Sequence, residues 1–279
     1  MNIMERNMTN ISIWGPSGSG KTSLLYSFSR RLNSINRDDP DFSFDLFELI
    51  NEDYRPTSID LPPKFPTSNP EDYILTFRRV PKQRTKKHLV SAHSHNLLIH
   101  DYMGAAMLGS KDDISRGNIF FSDCLIIIID PTLKSGVEIY NHYLPRLFSS
   151  NHFQESPIKH VAFCITKCDQ LHYRGEPGWI YERIFGKTSI SLLEKSVSRI
   201  NYKFFLVSSY GFCSVNNRDI PNFDPSTGYL LYPEQWEPYQ VEGPFFWLFQ
   251  NIELEKINKR ANLFFNDKNF YIPYPPPGS

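Results

Sequence analysis

The stretch ISIWGPSGSGKTSLLYSF, residues 11–28, holds Gly15, Gly20, Lys21 and Thr22 in the spacing G-x-x-x-x-G-K-[ST]. An alternating apolar run ending at Trp14 predicts a strand that leads into Gly15. Beyond Lys21, the residues Leu24, Leu25, Phe28 and Leu32 share one helical face, which predicts a helix over 21–33. Strand, glycine-rich turn and helix start together form the context in which this motif wraps a phosphate. Gly15, Gly18 and Gly20 allow the backbone amides to turn inward, and the helix adds its partial positive end. Lys21 is expected to reach the β- and γ-phosphates, and the Thr22 hydroxyl to ligate Mg²⁺. Ser17, Ser19 and Ser23 complete the candidate phosphate contacts.

Around this loop the chain reads as alternating strands and helices. Apolar runs at 73–80, 87–101, 124–130, 160–166 and 203–209 are separated by amphipathic segments. The first two flank a basic, proline-containing turn (RRVPKQRTKK, 78–87) and read as a β-hairpin. CLIIIID, HVAFCIT and KFFLVSS are continuous enough to be central strands covered on both faces. Further helices are expected at 134–149, 179–200 and 243–261, with a short one after Tyr102. The fold class predicted is α/β: a three-layer P-loop NTPase fold whose six-stranded, mostly parallel sheet has one antiparallel edge strand and helices on both faces. One domain is expected over 1–266, with long irregular segments at about 36–70 and 210–242, and a proline-rich tail over 267–279. Loops of that length are uncommon unless functional or disordered. The aromatics Phe42, Phe44, Phe47, Tyr54, Phe212, Tyr229, Tyr232 and Trp236 argue that both segments pack.

Composition narrows the class. The 279 residues carry 30 Lys plus Arg against 30 Asp plus Glu, so no global basic field argues for nucleic acid or an anionic membrane. Cys124, Cys164, Cys168 and Cys213 show neither a disulfide framework nor paired CxxC zinc spacing. The N-terminal MNIMERNMTN lacks an apolar signal region, no run reaches membrane-span length, and no lipidation box is present. A cytoplasmic protein with no direct membrane anchor is expected.

Three further motifs follow at strand ends. LLIHDYMG gives Asp101-x-x-Gly104, where the Asp can hold Mg²⁺ through water and the Gly amide can meet a γ-phosphate. FCITKCD gives Thr166, Lys167 and Asp169. A carboxylate at Asp169 can accept from both N1–H and the 2-amino group of guanine, a pair of donors adenine lacks, while the Lys167 stem can lie across the base. FLVSSY places Ser208 and Ser209 where a tight turn could offer amides to guanine O6.

With these motifs in this order, the chain resembles the Ras-like GTPases of the translation-factor-related class. GPSGSGKT is similar to the first motif, DYMG to the third, TKCD to the fourth in its Thr form, and SSY, more loosely, to the fifth. The resemblance implies GTP/GDP and Mg²⁺ as cofactors and a switch I threonine, for which DYRPTSID offers Thr57 ahead of the rival Thr67. Arg55, two residues before Thr57, loosely matches the transition-state arginine of the Gα class; its competing reading is a solvated loop residue. WGPSGSGKT, IDPT at 129–132, TKCD and GPFFWL also resemble the double-GTPase domains of bacterial conflict and signalling systems.

One departure stands out. The family's glutamine after D-x-x-G, which orients the attacking water, is replaced by Ala105, so slow hydrolysis is expected. His93 and His95 share a strand face, with His100 on the opposite one beside Asp101. They read either as hydrogen-bonded strand histidines or as a group near the phosphates. Asp130 is expected to cap the helix that follows it. The function expected is a GTP-binding switch that signals to a protein effector or regulator through its switch loops. The alternatives are an ATP-dependent enzyme such as a kinase, with 210–242 as its lid, or a non-hydrolysing nucleotide-bound scaffold.

Overall fold

A computed structural model describes residues 8–38, 42–49, 71–79, 94–101, 118–133, 136–196 and 200–260. The elements in order are β1 (Met8–Trp14), α1 (Lys21–Asp38), β2 (Phe42–Leu49), β3 (Glu71–Arg79), β4 (Ser94–Asp101), β5 (Cys124–Ile129), α2 (Gly136–Ser149), α3 (Asn151–Glu155), β6 (His160–Ile165), α4 (Pro177–Ser196), β7 (Asn201–Leu206), β8 (Phe212–Val215), β9 (Arg218–Pro221) and α5 (Gly243–Arg260). The class is α/β.

Seven strands form the main sheet in the order β2-β3-β4-β1-β5-β6-β7, and β8 and β9 form a separate antiparallel pair. β4, β1, β5, β6 and β7 run parallel, because each return to the sheet is made through a connection long enough to cross over. The expected hairpin is present as β3 and β4, antiparallel from Glu71 opposite Asp101 to Arg78 opposite Ser94. Two expectations need correction. Among the described residues the main sheet has seven strands rather than six, since β2 forms inside the segment expected to be irregular. The antiparallel strand β3 is interior, and β2 takes the edge. The reason is visible in FSFDLFEL, whose alternation changes phase partway. The β2–β3 register shifts between Asp45 and Glu48, a bulge that hides the period of two.

Burial on both faces follows from the alternation within β5. Cys124, Ile126 and Ile128 face a core built with Leu24, Leu25 and Phe28 of α1 and Phe245 and Leu248 of α5. Leu125, Ile127 and Ile129 face the other, with Tyr140, Leu144 and Phe148 of α2 and Tyr181 of α4. All six β5 side chains are buried. The Phe28 and Phe245 rings stack at 4.0 Å and 2°, fixing α1 against α5. All four cysteines are free and buried. Among the described residues no helix is long and apolar enough to cross a membrane.

This topology collects the chemistry at one edge. Chain order reverses at β1, which has β4 on one side and β5 on the other, and a crevice opens outside the carboxyl ends of the strands at such a point. The loops after β1, β5, β6 and β7 all emerge there, and β4 ends there too.

Candidate functional site

The loop between β1 and α1 is built around carbonyls and a buried lysine. Lys21 is 6% exposed, and its Nζ donates to the Gly15 carbonyl at 2.9 Å and the Pro16 carbonyl at 3.2 Å. A cation turned back onto its own loop is available to an anion that enters it. Gly15 admits no side chain: a Cβ there would lie 2.8 Å from both Ile128 Cβ and Ser19 Oγ. The Ser19 hydroxyl is fully buried and has no hydrogen-bond partner. Gly18 and Gly20 take left-handed φ angles of 73° and 97°. Thr22 and Ser23 form the first turn of α1, whose amides face this loop.

The TKCD turn after β6 is tied to that loop. Thr166 Oγ1 donates to the Ser19 carbonyl at 2.9 Å and sits 3.3 Å from the Ile129 carbonyl. Lys167 adopts φ 55°, a strained angle for a residue with a side chain. That geometry sends Nζ to the Gly18 carbonyl at 3.2 Å and to Asp130 Oδ2 at 2.6 Å. The Asp130 side chain is 1% exposed, so the pair is charge-assisted and largely shielded from water. Asp130 does not cap the next helix, contrary to expectation. That helix starts at Gly136, and Asp130 Oδ1 instead accepts from Thr132 N at 2.9 Å and Thr132 Oγ1 at 2.7 Å, closing a local turn.

Asp169 is the outlier of the site. It is 1% exposed, and neither carboxylate oxygen has a hydrogen-bond partner of normal geometry. Burial therefore raises its pKa above the ordinary carboxylate range. The Ser208 hydroxyl, the Asp169 and Gln170 amides and the Lys167 cation pull it back only in part. A buried carboxylate left short of hydrogen bonds costs stability unless a ligand, ion or water completes it.

The turn after β7 is held by the 210–242 segment, which is not irregular. Ser208 and Tyr239 exchange backbone hydrogen bonds, with Ser208 N donating to Tyr239 O at 3.0 Å and Tyr239 N returning at 2.8 Å. Ser208 Oγ accepts from Gly211 N at 2.8 Å. Gly211, at φ 70°, passes so close to the Glu237 carbonyl that a Cβ would collide with it. Trp236 is buried and donates its indole N–H to the Ser209 carbonyl at 2.8 Å. Arg30 of α1 lies over the Trp236 ring at 4.3 Å and donates to its carbonyl at 3.2–3.3 Å. On the other side Arg174, from the loop after TKCD, lies 3.9 Å over Phe212 and pairs with Asp219 at 2.9 Å. Trp236 and Phe212 pack as their aromatic character predicts, whereas Tyr229 is 52% exposed.

No family model matches the chain, and no curated protein matches it. Crystal structures of two substitution variants of SsGBP are similar to it at 17% and 16% identity, covering 74% of this chain and 52% of the other, with TM-scores of 0.35. The chain thus spans about half the length of those structures.

Of the residues expected from sequence, Gly15, Ser17, Gly18, Ser19, Gly20, Lys21, Thr22, Ser23, Thr166, Lys167, Asp169, Ser208 and Ser209 all fall on the loops and helix start at this one edge. The backbone of Asp101 ends β4 there, in register with Ile13 of β1, and His100 pairs with Ser12. Arg55, Thr57, Thr67, His93, Gly104 and Ala105 lie outside the described residues. The Ser208 amide donates to the Tyr239 carbonyl at 3.0 Å. Arg174 gained its place over Phe212 and against Asp219 through partners far away in sequence, and nothing local announced it.

Proposed function

We propose that this protein binds guanine nucleotides and acts as a GTP-dependent switch with slow intrinsic hydrolysis. The reading rests above all on Asp169, whose two oxygens are buried, unpartnered and within one tied set of loops with Lys21. Guanine brings two adjacent donors, N1–H and the 2-amino group, which would satisfy both oxygens at once. Adenine brings a lone pair at N1 and would leave the carboxylate buried and unpaired. The parallel order β4-β1-β5-β6-β7, with a glycine loop leading from β1 into α1, supports a P-loop NTPase layout. Lys21, the Ser19 region and the first amides of α1 would hold the phosphates. Thr22 and Asp101 would hold Mg²⁺ together with Thr57. Guanine O6 would be met by the Ser209 or Tyr210 amide, since that of Ser208 is spent.

A γ-phosphate contact to Thr57 and Gly104 would order the segments around them, and a protein effector or regulator would read that surface. Ala105 offers no group to orient water, so turnover without a partner is slow. The test is calorimetry with GTP, GDP and ATP in Mg²⁺ on nucleotide-stripped protein. Tight GTP and GDP with undetectable ATP is the expected result. ATP binding as well as GTP would overturn the base assignment. Single-turnover decay of bound GTP then separates a slow switch from a permanent GTP complex.

A further inference from the structure

Asp130 stands just past the end of β5, with a side chain 1% exposed and both carboxylate oxygens committed. Oδ1 accepts from Thr132 N at 2.9 Å and Thr132 Oγ1 at 2.7 Å, which fixes the orientation of the carboxylate. The Asp130 backbone N–H donates to the buried Tyr140 hydroxyl of α2 at 2.9 Å, so a second element holds the residue in place. Oδ2 is left for Lys167, whose Nζ donates to it at 2.6 Å.

Lys167 is held at both ends. Its backbone keeps a left-handed φ of 55° in the turn after β6, while its ammonium also donates to the Gly18 carbonyl at 3.2 Å. The four-carbon stem is thus strung from the TKCD turn to the phosphate loop, and it starts two residues from Asp169. A lysine free at its tip has many rotamers, and fixing them when a ligand arrives weakens binding. Asp130 removes that freedom at folding.

We propose that Asp130 is a positioning residue for base recognition. By holding the Lys167 ammonium at the phosphate loop, it sets the lysine stem as the surface on which the base of the nucleotide lies. This rests on the nucleotide reading above and gives Asp130 a part in it that acts wholly through Lys167.

The experiment is calorimetry with GDP, ADP and pyrophosphate, each with Mg²⁺, on the full chain, Asp130→Asn, Lys167→Met and the double variant. Asp130→Asn keeps an acceptor for Thr132 and withdraws the charge from Lys167. It should lower GDP affinity about tenfold and leave pyrophosphate within about threefold of wild type. Lys167→Met should show a similar loss. The double variant should then bind GDP within about twofold of Lys167→Met alone, because the two residues act as one unit. Losses that multiply in the double variant would overturn the assignment, as would unchanged GDP affinity in Asp130→Asn or an equal loss for GDP and pyrophosphate. Thr132→Val removes one bond to the same carboxylate without changing charge, and should cost GDP about threefold. Should Asp130→Asn fail to fold, full GDP affinity in Thr132→Val would overturn the assignment in its place. ADP bound by wild type as tightly as GDP would overturn the guanine reading alone, provided the same variants lose ADP in the same pattern. Wild type that binds pyrophosphate but neither nucleotide would overturn both.

Discussion

Replacing Asp169 with Asn tests the base assignment at its centre. The side chain is 1% exposed, and neither oxygen has a hydrogen-bond partner of normal geometry, so guanine would contribute two hydrogen bonds to a charged acceptor. Each such bond is worth about 1.5–3 kcal/mol. The amide keeps one acceptor and turns a donor toward the other guanine N–H, so a net loss of about 2–4 kcal/mol is expected, or about 30- to 700-fold in affinity. Pyrophosphate should bind the variant as it binds wild type, because Lys21 and the glycine loop are untouched. Inosine diphosphate supplies an internal control. Lacking the 2-amino group, it should bind wild type about tenfold more weakly than GDP, and the variant should lose that difference. Xanthine carries a carbonyl at the same position, which the new amide N–H can meet, so xanthosine diphosphate should gain on the variant. Competition against a fluorescent guanine nucleotide measures all four ligands in one format. GDP affinity within about threefold of wild type, in a variant whose circular dichroism is unchanged, would refute the argument.

Other expectations follow from the same geometry. Base reading needs the ionised form of Asp169, whose pKa burial raises, so GDP affinity should fall as pH drops through that raised value, and Asp169→Asn should flatten the profile. Stability of the empty protein should move in the opposite sense. The folded state holds its proton more tightly than the unfolded chain, so thermal melting should show stability declining as pH rises from the ordinary carboxylate pKa through the raised one. Lys21→Ala should reduce GTP affinity by about a hundredfold or more in calorimetry, since it removes a buried charge-assisted phosphate contact and frees the Gly15 and Pro16 carbonyls. Gly15→Ala drives a methyl to 2.8 Å from Ile128 and Ser19, and should cost about 1–3 kcal/mol in a denaturant melt.

What the sequence made legible was what depends on local pattern. The glycine loop and the helix after it are written in consecutive residues, and CLIIII and HVAFCI can only be strands covered on both sides, as their complete burial bears out. β2 was illegible because its bulge breaks the alternation that defines a strand. The 210–242 segment was read as irregular for a different reason. Its order comes from partners such as Asn222, whose side chain pairs with both backbone groups of Tyr232 at 2.8–2.9 Å, and Arg30, which reaches Trp236 across more than two hundred residues. Bonds of that kind leave no periodicity.

The same distinction bears on Ser208. Ser208 occupies the position at which a turn amide would meet a base, and sequence reasoning assigned it that role. In the structure that amide is bonded to Tyr239 of the 210–242 segment. The Ser208–Tyr239 pair ties the turn after β7 to the 210–242 segment. Base recognition and the integrity of 210–242 should therefore fail together. Gly211→Ala, which forces the chain away from the Glu237 carbonyl without touching any group proposed to meet the nucleotide, should weaken GDP binding while pyrophosphate binding persists. Equal losses for both ligands would mean that the segment supports the fold as a whole and has no particular hold on the base end.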